Sequence, residues 1–298
     1  MNNKTKVARL SIYSNTTLII LKLAVGLISG SVSIISEAIH STMDLLAALI
    51  AFFSVKAASK PADYDHPYGH GKFENVSGVI EALLIFVAAI WIIIEGIKKL
   101  FNPEAIASVS LGFIVMFISA SINYIVSKKL YKVAKEEDSI ALEADALHLK
   151  ADVYTSLGVG FGLLLIWVTG LHFLDPIVAI GVAIFILKES YELLISAFNP
   201  LVDVKLSENE IKIITEEISK HNSVYCNFHN LRTRKSGMTK YIDLHLVFPP
   251  NMYVKTAHDL CDIIENDIEA LLKNTEVLIH IESCEKPCNE CSIIDIKK

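Results

Sequence analysis

Two short polar motifs interrupt an otherwise apolar sequence, and both carry residue types that bind metal ions. The first is HSTMD, from His40 to Asp44, and the second is HLKAD, from His148 to Asp152. In a helix, residues four apart lie on the same face, about one turn from each other. Each motif therefore offers one imidazole and one carboxylate in the same direction, and the sequence contains this pair twice.

Together the two pairs supply two nitrogen and two oxygen ligands, provided that the helices carrying them meet. Such a set suits tetrahedral Zn²⁺ with bonds of ~2 Å, whereas Mg²⁺ and Ca²⁺ prefer oxygen. Because imidazole has an ordinary pKa of ~6.5, protons compete with the metal near neutral pH. We therefore predict that His40, Asp44, His148 and Asp152 form a transport site exchanging Zn²⁺ for protons. The alternative is that both histidines are polar core residues that hydrogen-bond between helices.

An acidic residue precedes each of the two histidines by three positions. It is Glu37 in the first motif and Asp145 in the second. These acids either orient the imidazoles through hydrogen bonds or line a wet cavity.

The elements that must position these residues are long apolar helices. The chain has 298 residues, of which 52% are hydrophobic, and its mean hydropathy is +0.46. Runs of ~20 apolar residues are long enough to cross ~30 Å of hydrocarbon as helices. Ionisable residues inside such spans cost ~2.5–3.5 kcal/mol each and are usually functional. The sequence predicts six spans, at about 11–29, 33–57, 76–100, 108–130, 140–169 and 175–197. The first is not expected to be a cleavable signal peptide, because no small-residue cleavage site precedes a soluble mature chain.

The distribution of basic residues predicts the orientation. Ten lysines and arginines lie before the first span, between spans two and three, or between spans four and five: Lys4, Lys6, Arg9, Lys56, Lys60, Lys72, Lys128, Lys129, Lys132 and Lys135. The opposite side has only Lys98 and Lys99. By the positive-inside rule, we expect a multi-pass protein of the cell inner (plasma) membrane, embedded in the lipid bilayer, with both termini in the cytoplasm.

After about Lys205 the sequence becomes that of a soluble domain. LSENEIKIITEEISKH predicts an amphipathic helix with Ser207 as N-cap and Glu210 completing a capping box. Two strands with a turn at Ser236-Gly237, a second helix and a third strand follow. The order α-β-β-α-β favours an α+β domain of ferredoxin-like type. The expected architecture is a six-helix transmembrane domain (1–203), a cytosolic ferredoxin-like domain (204–284) and a cysteine-containing tail (285–298).

Charge and cysteine content exclude other classes of protein. The net charge of −6 argues against a nucleic-acid partner. The five cysteines all lie in the cytosolic part, where thiols stay reduced, and do not form a disulfide framework. No nucleophile motif, phosphate loop or HExxH sequence indicates an enzyme.

Four segments, in this order, resemble the cation diffusion facilitator family of zinc-transporting membrane proteins. They are SGSVSIISEAIHSTMDLLAALI, PADYDHPYGHGKFEN, ALHLKADVYTS and HNLRTRKSGMTKYIDLHL, and the similarity spans all but the last dozen residues. The resemblance implies a homodimer that exports Zn²⁺ in exchange for H⁺ by alternating access. It also implies that His40, Asp44, His148 and Asp152 are the transport site. Relatives with Asp at the first of these positions handle other metals more freely.

The resemblance further implies peripheral sites. A loop zinc site falls on Asp63, His66 and His70, with Asp65 as another candidate ligand and a merely solvated loop as the alternative. A cytosolic zinc site across the dimer contact falls on His229, His245, His258, His280 and Glu282. Relatives have Asp where this chain has Glu282, so a bridging role for it is open. Lys72 and Asp203 match a charged pair that couples the two domains, or are unrelated charges near the membrane.

Some residues and rival functions stay open. Cys288 and Cys291 have metal-ligand spacing close to Cys284, but the tail could equally be a reduced, unstructured terminus. Lys22, in the middle of a span, is expected to face a cavity or an acidic partner, and His172 and His221 are expected to be ordinary surface residues. The rival functions are a transporter of Fe²⁺, Cd²⁺ or Co²⁺ with the same fold, and a membrane zinc sensor that does not transport.

Overall fold

The computed structural model describes residues 3–29, 32–101, 110–169 and 174–285 of the chain. The chain divides into two compact units, which we call unit 1, Met1–Phe198, and unit 2, Asn199–Lys298.

Unit 1 is a bundle of long helices. They are α1 (Asn3–Ser29), α2 (Val32–Ala58), α3 (Lys72–Phe101), α4 (Ser110–Glu136), α5 (Ile140–Thr169) and α6 (Leu174–Phe198). Among the described residues, α3 is the helix that by length and composition could cross a membrane. Helix α1 begins eight residues before the expected apolar run, and α4 ends six residues after it. Apolar runs therefore underestimate helix length, because a helix can continue into polar sequence.

The helices of unit 1 pack in pairs: α1 along α2, α3 along α6, and α4 along α5. Helix α2 also contacts α5, which brings together the two helices that carry the polar motifs. Close approach depends on small residues, the usual device for packing helices in membranes. A Cβ added at Gly96 of α3 would lie 2.7 Å from Ile180 Cγ1 of α6.

A buried ion pair joins the first turns of two helices of unit 1. Lys4 Nζ of α1 lies 3.0 Å from Glu74 Oε1 of α3, and both side chains are buried. The hydroxyl of Ser139, just before α5, donates to the other oxygen of Glu74. Three separate elements therefore meet at a single carboxylate.

Unit 2 has the expected α-β-β-α-β order. After a short 3₁₀ helix, Asn199–Val202, come α7 (Glu208–Ser219), β1 (Asn227–Ser236), β2 (Thr239–Phe248), α8 (Val254–Leu271) and β3 (Thr275–Ser283). The strand order is β1-β2-β3, with β1 and β2 antiparallel and β2 and β3 parallel. Ser207 caps α7, and the capping box with Glu210 is present. The turn lies at Gly237 and Met238, one residue later than predicted, where Gly237 has φ +59°.

Alternation along β2 separates the two faces of the sheet. Ile242, Leu244, Leu246 and Phe248 are buried in one core with α7 and α8 residues. Because neighbouring residues of a strand point to opposite faces, His245 is turned away from this core. The α+β fold thus leaves one face of the sheet for polar side chains.

Candidate metal centres

The contact between α2 and α5 brings three of the four predicted transport ligands together. One donor atom each from Asp44, His148 and Asp152 lies within 4.8 Å of the others. His148 Nε2 is 3.2 Å from Asp44 Oδ1. Asp44 is 5% exposed, and His148 and Asp152 are half-buried. One imidazole and two carboxylates thus converge inside the helical bundle, a set that can bind a divalent cation.

The fourth predicted ligand, His40, lies on the backbone of α2, but its side chain is outside the described part of the structure, as is that of Glu37. Their roles stay predictions.

Helix α1 supplies polar contacts to α2 around this site. Of these, the sequence indicated only that Lys22 would face a cavity or an acidic partner, and Asn15 was not singled out. Asn15 Nδ2 donates to the backbone oxygen of Asp44 at 3.3 Å. Lys22, which is buried, donates to Ser41 Oγ at 2.7 Å. The lysine therefore lies inside the bundle, beside the motif that contains Asp44. The sequence signal for Asn15 and Lys22 is the presence of a polar side chain in an otherwise apolar helix.

Two further carboxyl groups are fully buried in unit 1, Glu81 of α3 and Asp145 of α5. Glu81 accepts a hydrogen bond from Ser77 at 3.2 Å, and Asp145 accepts one from Ser11 at 3.1 Å. Asp145 was noted from its spacing to His148, whereas Glu81 was not. A buried carboxyl group is costly as an anion unless it is compensated. Two such groups show that the interior of the bundle is polar around these residues.

The loop between α2 and α3 brings its three predicted ligands together. Asp63 Oδ1 lies 3.1 Å from His66 Nδ1, and Asp63 Oδ2 lies 3.3 Å from His70 Nε2. The backbone N–H of His66 also donates to Asp63, which lowers the pKa of that carboxyl group. Gly69, with φ +76°, allows the turn that carries the chain back to His70. Asp65, the other candidate, is exposed and does not belong to this group among the described residues.

On the sheet of unit 2, three predicted histidines form a row across the strands. His229 of β1 is paired in register with His245 of β2, which is paired with His280 of β3. Their ring centroids are 5.2 Å and 4.8 Å apart. The sequence predicts the strands that carry these histidines, but only the pairing register of the strands places the histidines opposite one another. We call His229, His245 and His280 the histidine row.

Glu282, two residues after His280 on the same strand, forms a group with His229 and His245 in which one donor atom of each lies within 4.8 Å of the others, whereas His280 Nε2 is 4.0 Å from Glu282 Oε1 and lies outside this group. Glu282 Oε1 lies 2.8 Å from His245 Nδ1, and its Oε2 lies 3.3 Å from His229 Nε2. The hydrogen bond with His245 is the largest cause that lowers the pKa of Glu282, and the charges of the histidines add to it. An ionised carboxylate between two imidazoles is the form that binds a metal ion.

His258 of α8 does not join the histidine row. Its Nδ1 lies 3.0 Å from Asp262 Oδ1 on the same helix, and its side chain is 67% exposed. Within one chain, the predicted five-residue cytosolic set is therefore divided.

The remaining predicted positions are placed as follows. Lys72 is the first residue of α3. Asp203, with φ +55°, has its Oδ1 3.8 Å from Arg234 Nη1 of β1. Cys284 is half-buried, whereas Cys288, Cys291, His172 and the rest of the tail from residue 286 lie outside the described residues. His221, expected to be an ordinary surface residue, instead lies with two carboxylates.

Comparison with known proteins agrees with this arrangement of a helical bundle followed by an α+β unit. The model of the cation efflux transmembrane domain matches residues 8–202, and that of the cation efflux protein cytoplasmic domain matches residues 206–284. These two matches define a membrane protein of cation efflux. The chain belongs to the cation efflux, or cation diffusion facilitator, family.

Individual relatives match over most of the chain. Uncharacterized transporter sll1263 of Synechocystis sp. is 36% identical over 90% of this chain and 86% of its own length. Cation-efflux pump FieF of Shewanella oneidensis is 30% identical, over 92% of each chain. A solved structure of CzrB in its zinc form is 26% identical, covers 28% of this chain and 96% of that chain, and has a TM-score of 0.26.

Proposed function

We propose that this divalent cation efflux protein is a Zn²⁺/H⁺ antiporter that exports zinc from the cytoplasm by alternating access. The observation that carries the proposal is the group formed by Asp44, His148 and Asp152, whose donor atoms lie within 4.8 Å of one another. Two carboxylates neutralise a dication inside the bundle, and an imidazole favours zinc over Mg²⁺ and Ca²⁺. His40, one turn before Asp44, is the proposed fourth ligand.

The same residues account for the exchange of zinc for protons. Deprotonated imidazole and ionised carboxylates bind Zn²⁺ when the site is open to the cytoplasm. When the site is open to the far side of the membrane, protonation of His40 and His148 removes two ligands and adds positive charge, so that the metal leaves. The protonated site then turns back to the cytoplasm, where the histidines lose their protons and can bind zinc again. Movement of α2 and α5 with their packed partners between two arrangements would expose the site to each side in turn.

Zinc flux into inside-out proteoliposomes under a pH gradient tests the proposal. We expect His148→Ala combined with Asp152→Ala to reduce flux at least tenfold, because two of the ligands are lost. Glu192→Gln is the matched control, since Glu192 lies in the same unit but is exposed and pairs with Lys188. Full flux in the double variant would refute the assignment of the site.

A transporter of Fe²⁺, Cd²⁺ or Co²⁺ is the second candidate, because these ions accept the same ligand types. The name cation-efflux pump, carried by the Shewanella relative, does not separate zinc from other cations. Competition transport measurements with His40→Asp distinguish the candidates. A wider range of transported metals in this variant would support His40 as the zinc filter, and an unchanged range would contradict it.

A zinc sensor that does not transport is the remaining rival. It requires that the site between α2 and α5 never binds metal. Counting the metal bound by Asp44→Ala combined with Asp152→Ala separates the two, because a sensor would lose none while the antiporter would lose one Zn²⁺ per chain.

We propose that unit 2 mediates homodimer formation and binds resident zinc at the histidine row and Glu282. His280 and His258 are 65% and 67% exposed, and a second chain could supply the partner of each. The donor set of imidazoles and an ionised carboxylate fits Zn²⁺. Light scattering of the detergent-solubilised chain should show a zinc-dependent dimer, and His258→Ala should weaken it if this histidine binds zinc across the contact.

We also propose the loop site on Asp63, His66 and His70, and the coupling of Lys72 with Asp203. Charge reversal tests the coupling: Lys72→Asp alone should impair transport, and adding Asp203→Lys should restore it. Arg234, the neighbour of Asp203 within unit 2, provides the control, because Arg234→Gln should leave the rescue intact.

We propose that both termini lie in the cytoplasm of a plasma-membrane protein, an orientation that the distribution of basic residues supports. Cysteine labelling at Lys6→Cys and Lys99→Cys from each side tests it.

A further inference from the structure

A group of metal-ligand side chains in unit 2 lies apart in sequence and element from the histidine row. One donor atom each from Glu217, His221 and Asp267 lies within 4.8 Å of the others. They come from the last turn of α7, the turn that follows it, and α8. We propose that Glu217, His221 and Asp267 bind a divalent transition-metal ion of the Zn²⁺ or Co²⁺ class.

The donor types are those of the centre between α2 and α5: one imidazole and two carboxylates. The other groups of this kind among the described residues fall on the transport, loop and sheet sites that sequence analysis had already predicted. The donor atoms of Glu217, His221 and Asp267 are therefore as close together as those of the predicted sites, although no sequence motif indicated these three residues. Three protein ligands leave the fourth tetrahedral position to water.

The hydrophobic core holds the backbone of each ligand. Glu217 precedes Ile218, and Asp267 precedes Ile268; both isoleucines are fully buried in the same core. The backbone N–H of His221 donates to the carbonyl oxygen of Ile218 at 3.2 Å. A metal ion at this place would need little rearrangement of the backbone, which reduces the entropic cost of binding.

The group already attracts a cation. Glu217 is 4% exposed, and Lys220 Nζ lies 2.6 Å from its Oε2. That hydrogen bond is the main cause that raises the pKa of Lys220; slight burial opposes it, and the charges of Glu217 and Asp267 add to it. Because the Lys220 side chain is 63% exposed, it can turn into water when a dication takes its place. A transition-metal ion can coordinate the imidazole nitrogen of His221 and both carboxylates at once, with bonds of ~2 Å that are shorter than any hydrogen bond from an ammonium group.

Counting bound zinc tests the site directly. The full-length chain in detergent is dialysed against buffered Zn²⁺ near neutral pH, and the bound metal is measured per chain. His221→Gln, which keeps a polar side chain of similar size, should bind one Zn²⁺ fewer than the wild type. An unchanged count and affinity would overturn the proposal.

Removing the competing cation makes the opposite prediction. Lys220→Gln should tighten zinc binding at this site about tenfold, whereas Lys220→Arg should not. A Lys220→Gln protein that binds zinc no more tightly would contradict the proposal.

Two neutralising substitutions separate ligation from general negative charge. Asp267→Asn removes a ligand, and Glu216→Gln removes a charge that also acts on Lys220 but is not part of the group. We expect the loss of one Zn²⁺ only in Asp267→Asn; equal losses would mean that the acids act by charge alone and would refute a coordinated site. This site does not depend on the transport proposal, because zinc flux is measured separately and should persist in His221→Gln.

Discussion

At the scale of single residues, the cap of α7 shows how one carboxylate can hold several groups. Glu210 Oε2 accepts hydrogen bonds from the backbone N–H of Ser207 at 3.0 Å and from its hydroxyl at 2.6 Å. Lys240 Nζ of β2 lies 2.9 Å from the other oxygen. Burial alone would raise the pKa of Glu210, but the bonds from Ser207 and Lys240 outweigh it, and the pKa lies below its ordinary value.

The depressed pKa of Glu210 predicts a pH-dependent contribution to stability. Glu210→Gln should lower the free energy of unfolding of unit 2 by about 1 kcal/mol at pH 7, since the pair is partly screened by solvent. A carboxylate whose folded-state pKa is depressed stabilises above its unfolded-state pKa, and this contribution disappears as the pH falls through the folded-state value. Unfolding curves of both proteins at pH 7 and near pH 3 measure the difference. A gap that persists in acid would contradict the explanation.

Single residues also mark where sequence reasoning was sufficient and where it was not. The spacing of His148 and Asp152 was enough to place both on one face of α5, because helical periodicity determines which residues share a face. That Asp44 lies beside them depends on the contact between α2 and α5, which the sequence did not specify. Glu81 and Asn15 carried no such periodic signal, and only the packing of α1, α2, α3 and α5 reveals their place. His221 was expected to be an ordinary surface residue. Its neighbour Asp267 is distant in sequence, and only the fold brings the two together.

At the scale of elements, the Lys4–Glu74 ion pair ties the start of α1 to the start of α3. Removing one partner of a buried pair leaves the other charge uncompensated, which costs about 3–5 kcal/mol. Glu74→Gln should therefore destabilise unit 1 by this order, and Lys4→Met should do so too. The double variant should be less destabilised than the sum of the two, because neither charge then remains alone. Thermal unfolding of the four proteins in detergent measures this cycle, and strictly additive effects would show that the pair does not couple the helices.

Close packing between α3 and α6 gives a second prediction for elements. Gly96→Ala should lower the melting temperature by several degrees, since the new Cβ would lie 2.7 Å from Ile180 Cγ1 and the helices would have to separate. Gly181→Ala is the matched control on α6, because a Cβ there meets nothing within 4 Å. It should be neutral or slightly stabilising, as alanine favours helix over glycine. Equal effects of the two substitutions would contradict a close contact at Gly96.

The helices and strands could be predicted from the sequence more readily than the register in which the strands pair. Apolar runs indicated the helices of unit 1, and a capping box, a glycine turn and alternating strands indicated the elements of unit 2. The histidine row could not be derived in this way, because the register of β1, β2 and β3 depends on a shift between His229 and Arg232. A strand shifted by one residue would turn its histidine toward the core. Local patterns specify elements, whereas the core specifies which residues face each other.

At the scale of the whole molecule, two compact units with separate candidate metal sites predict two separable responses to zinc. Met1–Phe198 contains the group around Asp44 and His148, and Asn199–Lys298 contains the histidine row. A ligand that binds only the folded state stabilises it by ~2.7 kcal/mol at a concentration of 100 times its dissociation constant. Zinc should therefore raise the unfolding temperature of each unit, and a chelator should lower both.

Variants in one unit should reduce only that unit's response. Asp44→Asn should reduce the zinc-dependent shift of the helical transition to the part contributed by the loop site, while the shift of the α+β transition keeps its full size. His245→Ala should do the reverse, leaving in unit 2 the part contributed by the group around His221. Scanning calorimetry of the full-length chain in detergent, with zinc and with chelator, measures both transitions. A reduction of both shifts in either variant would mean that metal binding in one unit requires the other, and the two units would then have to be treated as one thermodynamic system.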